Sequence, residues 1–219
     1  LRFSPARYVG GDLYVVRLQD AERMLVVLAD MAGRSVYGLV HLSALHSHLQ
    51  AAVANGLEVD DLARRINHGV YEVLQPDSFA AAFIASIDIS TGRMAFVNCG
   101  HLPPLLLRGS DPEKAIELHS GGILIGAVEN PEYEADAVTI ETGDLLVACT
   151  DGVSEARDAQ GRQFGKEQIF QVIGSRNEQG VDDIAGAILA ASEDFADSPS
   201  SDDATVLLIR RADRRSAQN

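Results

Sequence analysis

Runs of apolar residues that finish on an aspartate punctuate this chain. Met24-Leu25-Val26-Val27-Leu28-Ala29 runs into Asp30, and Leu145-Leu146-Val147-Ala148-Cys149 runs through Thr150 into Asp151-Gly152. Unbroken apolar runs of this length, bounded by turn residues, predict short strands buried on both faces. A buried strand that ends on a carboxylate needs a cation, hydrogen-bond donors or water, because an isolated buried charge costs several kcal/mol. Asp-Gly by itself also reads as a plain turn. Two such strands predict neighbours in one sheet that present carboxylates at the same end.

The rest of the pattern surrounds these strands. Residues 8–16 predict a strand interrupted by Gly10-Gly11, which delivers Asp12. Residues 35–54 keep helical spacing through Val36, Leu39, Val40, Leu42, Leu45 and Leu49, and stop at Asn55-Gly56. Asp60 can cap a second helix of about 15 residues, with Leu62, Ile66, Val70 and Val73-Leu74 on its apolar side and Pro76-Asp77 at its end. Residues 79–89 and 93–98 predict strands joined by a turn at Asp88-Ile89-Ser90-Thr91-Gly92. Leu105-Leu106-Leu107 pairs again after the loop from Asn98 to Pro104. Residues 137–140 and 144–150 predict another hairpin, and helices follow near 166–175 and 182–196. Asp202-Asp203-Ala204-Thr205 leads into a last strand over 206–209. Antiparallel strand pairs with helices grouped between them argue for one α+β domain over residues 1–211. The polar stretch 212–219 reads as a disordered tail.

Composition narrows the partners. The 219 residues carry a net charge of −14, which argues against nucleic acid and anionic membrane and favours a basic partner or bound cations. No apolar run approaches the roughly 18 residues of a membrane span, and the first residues lack the layout of a signal peptide. There is no initiator Met, which predicts a piece of something longer. Cys99 and Cys149 have neither metal-ligand nor redox spacing, so a reduced, cytoplasmic setting is expected. His41, His46 and His48 lack the four-residue spacing of a helical metal site and read as surface or core-edge histidines. His101, in the loop from Asn98 to Pro104, is a candidate functional side chain or a hydrogen-bonded structural one. The glycines from 121 to 126 lack the strand and helix that a nucleotide-binding loop requires.

Aspartates therefore arrive at strand edges in four places: Asp12, Asp30, Asp151, and Asp202 with Asp203. Gathered within a few ångströms, these charges require a counter-charge to stay ionised. All-oxygen ligands suit Mg²⁺ or Mn²⁺ rather than Zn²⁺. Two such ions about 4 Å apart form a device for phosphoryl chemistry.

In this order, Gly10-Gly11-Asp12-x-Tyr14, Asp30-x-x-Gly33-Arg34, Asn98-x-Gly100-His101-x-Pro103-Pro104, Gly143-Asp144, Thr150-Asp151-Gly152-Val153-x-Glu155-Ala156, Phe164-Gly165 and Asp202-Asp203-x-Thr205 span essentially the whole chain. Together they resemble the bacterial, SpoIIE- and RsbU-like branch of the metal-dependent PP2C-type (PPM) serine/threonine phosphatases. The resemblance implies a β-sandwich of two antiparallel sheets flanked by helices. It implies that Asp30 and Asp151 bridge two Mn²⁺ or Mg²⁺ ions and that the Met31 carbonyl ligates one. Asp12 and one of the final pair, Asp202 before Asp203, complete the other. Water activated at the metals attacks phosphorus in line, with no phospho-enzyme. The implied substrate is phosphoserine or phosphothreonine on a small anti-sigma-factor antagonist of the STAS type, in a partner-switching or two-component pathway. The implied context is an upstream sensor or receiver domain, with a homodimer as one allowed assembly.

The chain departs from the pattern in places. Val15 stands where many relatives carry Asp, Phe79-Ala80-Ala81 replaces Phe-x-Thr, and Ser35-Val36 replaces a glycine-containing step; where the eukaryotic branch has Gly-His after the bridging aspartate, this chain has Met31-Ala32. The departures around Gly33-Arg34-Ser35-Val36 motivate an alternative: a catalytically weak or inactive regulatory module on the same fold that acts by protein binding. The donor of a proton to the leaving serine is unassigned, and metal-bound water is the candidate.

Overall fold

The computed structural model describes residues 1–6, 10–31, 36–53, 56–73, 78–176, 178–198 and 202–213. The chain divides into two units built from interleaved segments. The first comprises Leu1–Gly10, Pro104–Leu118 and Ile140–Asn219, and the second Gly11–Pro103 and His119–Thr139. Each carries one five-stranded antiparallel sheet with helices, among the described residues.

In the second unit the strands are β2 (Asp12–Leu18), β3 (Arg23–Met31), β4 (Ala80–Asp88), β5 (Arg93–Cys99) and β8 (Asp136–Thr139), paired in that order. The unbroken apolar run becomes β3, flanked by β2 and β4, with Leu25 to Ala29 all buried. Alternate residues Leu25, Val27, Ala29 and Met31 pack with Leu45 and Leu49 of α1 (Val36–Val53) and Leu62, Ile66 and Val70 of α2 (Val59–Tyr71). Each fully buried aliphatic side chain of this kind contributes about 1.5–3 kcal/mol. The two helices approach closely because Gly69 has no side chain: a Cβ there would lie 2.2 Å from His48 Nδ1. Asn67, fully buried on α2, ties down a loop. Its amide donates to the Val128 and Glu129 carbonyls, and its Oδ1 accepts from the Gly126 N–H at 2.7 Å.

The first unit orders its strands β1 (Arg2–Ser4), β10 (Ala204–Arg210), β9 (Leu145–Cys149), β6 (Leu105–Leu107) and β7 (Ala115–Glu117). All five residues of β9 are buried. Leu145, Val147, Cys149, Val206 and Leu208 pack with Ile169 and Ile173 of α4 (Gly165–Ser175) and Ile184 and Ile188 of α5 (Val181–Phe195). Buried Asp144 immediately precedes β9. Its carboxylate accepts from the Arg108 guanidinium, from the Gly109 N–H at 2.8 Å and from the Glu141 N–H at 2.8 Å. Burial pushes its pKa up, but these three donors outweigh that and hold it below the ordinary carboxylate value.

Several sequence expectations need correction. The predicted hairpin of residues 137–140 with 144–150 does not form. β8 pairs with β5 in one sheet, whereas β9 pairs with β10 and β6 in the other. The tight turn at Glu141–Asp144 that suggested a hairpin instead passes the chain between sheets. Asp60 does not cap α2. Glu58 occupies that position without a side-chain bond, and Asp60 sits in the first turn, held by Arg64. Gly10-Gly11 precede a strand that starts at Asp12 rather than interrupting one; Tyr8 and Val9 lie outside the described residues. His41 is a core residue, 4% exposed. β1 and β7, each three residues long, were not foreseen. Gly33-Arg34-Ser35, Asn55, Pro76-Asp77 and residues 214–219 of the tail lie outside the described residues. No described helix is long and apolar enough to cross a membrane.

Candidate functional site

Sheet register places the first two aspartates. Asp12 stands directly opposite Asp30 on antiparallel β2 and β3. The Met31 N–H donates to the Gly11 carbonyl at 3.1 Å. That bond flanks the Asp12–Asp30 pair and makes it the non-hydrogen-bonded type, in which facing side chains come closest. Opposed Cβ atoms in such pairs sit about 4.5–5.5 Å apart, and like charges there are destabilising. On its other side Asp30 faces Ala81, a small neighbour that leaves room around the carboxylate. The Met31 side chain is in the apolar core, so only its backbone is available for polar contacts at the strand end.

Turn chemistry places the others, in the first unit. Thr150 and Thr205 are buried and bind each other. The Thr150 N–H donates to the Thr205 carbonyl at 3.1 Å, and the Thr205 N–H donates to Thr150 Oγ1 at 2.9 Å. Thr150 Oγ1 also donates to the Asp203 carbonyl at 3.4 Å. This clasp holds residues 202–205 against the start of α3 (Asp151–Ser154), where Asp151 is the first residue and its Oδ1 is buried. Gly152 is required by space: a Cβ would lie 2.0 Å from the Asp203 carbonyl oxygen.

The final pair divides its work. Asp203 is 5% exposed, and its Oδ1 accepts from the Ala6 N–H at 2.8 Å. A Cβ on Gly10 would lie 2.6 Å from its Oδ2. Asp203 is thus an internal anchor. Asp202 is half-buried, lines an open pocket, and its Oδ1 accepts from the Asp203 N–H at 3.0 Å.

Asp30 and Asp151 were expected on adjacent strands, and they are not. β3 and β9 belong to different sheets, and the strand neighbour of Asp30 that carries a carboxylate is Asp12. Among the described residues, no group of three or more His, Cys, Asp and Glu forms a ready-made metal cage. The donor set nonetheless fits a hard cation. Mg²⁺ keeps several waters and is held through one or two carboxylates plus substrate phosphate, and opposed Asp12 and Asp30 offer such a pair.

His101 is structural in its contacts. Its N–H donates to Asn98 Oδ1 at 2.8 Å, and its Nδ1 lies 2.7 Å from the Leu102 carbonyl, which fixes that nitrogen as the protonated one. Burial holds its pKa below the ordinary value, against a smaller upward pull from that carbonyl. Both cysteines are free and buried, and burial pushes each thiol up to about 12, which removes them as nucleophiles. Sequence reasoning missed the anchoring roles of Asp144 and Asn67. Gly143-Asp144 carried a turn signal but no sign of its three donors, and nothing local marks Asn67.

The comparisons agree with this architecture. RsbU of Bacillus subtilis strain 168, a phosphoserine phosphatase, is 22% identical over 210 residues, covering 94% of this chain and 61% of RsbU. The chain spans between 25% and 61% of the length of the curated relatives it matches. The SiaA PP2C domain of Pseudomonas aeruginosa superposes with a TM-score of 0.82 at 22% identity, covering 95% of this chain and 84% of that one. RsbX, crystallised in complex with magnesium, gives 0.65 at 17% identity, with 92% of this chain and 87% of RsbX covered. The fold is therefore that of PP2C phosphatase domains, two antiparallel sheets with helices. The sequence matches the stage II sporulation protein E (SpoIIE) family over residues 20–212, and the chain belongs to that family.

Proposed function

We propose that the chain is a Mn²⁺- or Mg²⁺-dependent phosphoprotein phosphatase domain acting on phosphoserine or phosphothreonine. Its substrate is a small regulatory protein of the anti-sigma-factor-antagonist type, within a partner-switching pathway. The observation that carries this reading is the opposed Asp12–Asp30 pair at the end of a buried strand, in a chain of the SpoIIE family. Two carboxylates held face to face are unfavourable without a cation and become favourable with one.

In this reading Asp12, Asp30, Asp151, Asp202 and the Met31 carbonyl hold two divalent cations. Asp202 serves rather than Asp203, because Asp203 is buried with its carboxylate turned to the Ala6 N–H, whereas Asp202 is half-buried and lines an open pocket. When bound, the cations acidify a water and neutralise the phosphate oxygens. The chain's own contribution is placement: register fixes Asp12 against Asp30, and the Thr150–Thr205 clasp fixes the Asp151 and Asp202 backbones. Neither cysteine offers a covalent route, which supports direct attack by water.

The test is Mn²⁺-dependent release of phosphate from a phosphoserine protein by wild type, Asp30→Asn and Asp151→Asn. Each variant is expected to lose at least about 10²-fold in rate. Undiminished turnover in either removes that residue from the machinery. Calorimetry that detects no Mn²⁺ binding at millimolar metal, beside intact binding of a partner protein, selects the regulatory module instead.

A further inference from the structure

Among the described residues the edge strands of the two sheets are β1, β7, β8 and β2. The first three are short, at three, three and four residues, whereas β2 has seven. A long edge presents a row of unpaired N–H and C=O groups, which proteins usually blunt with charge, proline or a bulge. β2 lacks these devices beyond Asp12. Its register with β3 runs unbroken from Asp12–Asp30 to Leu18–Met24. Its one later charge, Arg17, alternates to the opposite face from Tyr14, Val16 and Leu18 and donates to Gln50 Oε1 of α1 at 2.7 Å. The ladder decides which groups the edge offers. Asp12–Asp30 is a non-hydrogen-bonded pair, and past the far end the Gln19 N–H donates to the Arg23 carbonyl at 2.8 Å. The alternation between them makes Tyr14, Val16 and Leu18 non-hydrogen-bonded toward β3. Their N–H and C=O groups point to the open side, where no described residue meets them. Their side chains share one face and are 44%, 47% and 60% exposed. Backbone donors, backbone acceptors and apolar side chains thus recur together over about 13 Å.

Building on the phosphatase reading, we propose that the substrate protein adds an extended segment to the open edge of β2, antiparallel to it, with the phosphoserine arriving at Asp12. The edge is continuous with the candidate site: β2 begins at Asp12, one of the opposed pair, so a strand laid along it runs into that pair. β2 leads away from Asp12, and antiparallel pairing is the stronger kind per residue. The residues preceding the phosphoserine therefore form the ladder. With the phosphoserine opposite Asp12, positions −2, −4 and −6 fall on Tyr14, Val16 and Leu18, where main-chain bonds give affinity and alternate apolar side chains give preference. A second copy of this chain is the poorer occupant, because it brings another charge of −14 to the same edge.

The experiment assays wild type with Mn²⁺ on a phosphoserine peptide that carries Val at −2, −4 and −6 with Thr between, and on forms N-methylated at one backbone nitrogen at a time. Methylation at −2 or −4 should lower kcat/KM about fivefold, carried by KM, and at −1 or −3 less than about twofold, because those N–H groups point away from β2. Wild type should also prefer this peptide over a three-residue phosphopeptide by about tenfold. Val16→Pro removes one outward N–H at an edge position of the kind that tolerates proline, and should bring that preference, measured within the variant, to about one. Equal losses at odd and even positions, no loss at any position, or a preference that survives Val16→Pro overturns the inference. Sedimentation of the chain alone as a dimer that Val16→Pro dissociates assigns the edge to a second copy and overturns it too. If no peptide is hydrolysed, the phosphatase reading fails alone. The edge inference then stands if methylation at −2 and −4, and not at −1 and −3, weakens binding in fluorescence anisotropy, and falls otherwise.

Discussion

Asp30 in the second unit lies near the end of a buried apolar strand and Asp151 in the first follows one, yet different forces hold them. Asp30 is placed by its ladder: β3 lies between β2 and β4, and register alone sets Asp12 opposite it. Asp151 is placed by a clasp outside the ladder, where Thr150 and Thr205 exchange hydrogen bonds and Gly152 lets the 202–203 backbone close in. A site set by register tolerates changes in its side chains, because the sheet beneath is buried and complete. A site set by close backbone approach does not, because one added methyl displaces the chain.

That contrast can be broken by substitution. Gly152→Ala should lose about 3 kcal/mol in urea unfolding, from forcing a methyl against the Asp203 carbonyl. Gly174→Ala in α4, where a Cβ meets nothing within 4 Å, should gain up to about 1 kcal/mol. Equal behaviour of the two glycines would remove the close-approach argument. Asp144→Asn should lose about 2 kcal/mol, since the N–H groups of Gly109 and Glu141 and the Arg108 guanidinium lose a charged acceptor. An unchanged midpoint would show that this anchor is dispensable.

A pH series sharpens the comparison inside the second unit. Buried His101 has its pKa lowered from 6.5, so the unfolded chain takes up its proton first as pH falls. The stability it contributes is complete above pH 6.5 and is lost as pH drops below that value, by at most about 1.4 kcal/mol per pH unit. His101→Asn, which keeps a donor for the Leu102 carbonyl, should flatten the stability profile between pH 7 and 5. Profiles of identical slope would mean that His101 takes up its proton alike in both states. The smallest effect concerns the register pair. Without metal, Asp30→Asn should raise stability by about 0.5 kcal/mol through relief of like charge, while removing phosphate release. A loss of stability would mean that the Asp30 carboxylate does structural work of its own.

The sequence alone determined the helices α1, α2, α4 and α5, the buried strands β3 and β9, and the identities of the aspartates, because apolar periodicity and turn residues are local signals. The two three-residue strands β1 and β7 carry too few positions to show a period. Tertiary structure decided which strands are neighbours: Asp30 met Asp12 rather than a carboxylate on β9, and the hairpin expected at residues 137–150 became a passage between sheets. It also divided Asp202 from Asp203, which stand side by side in sequence: Asp203 is buried and reaches the Ala6 N–H, whereas Asp202 is half-buried and lines an open pocket. Strand pairing and burial depend on residues far apart along the chain, and a local pattern cannot encode which distant donor a carboxylate will find.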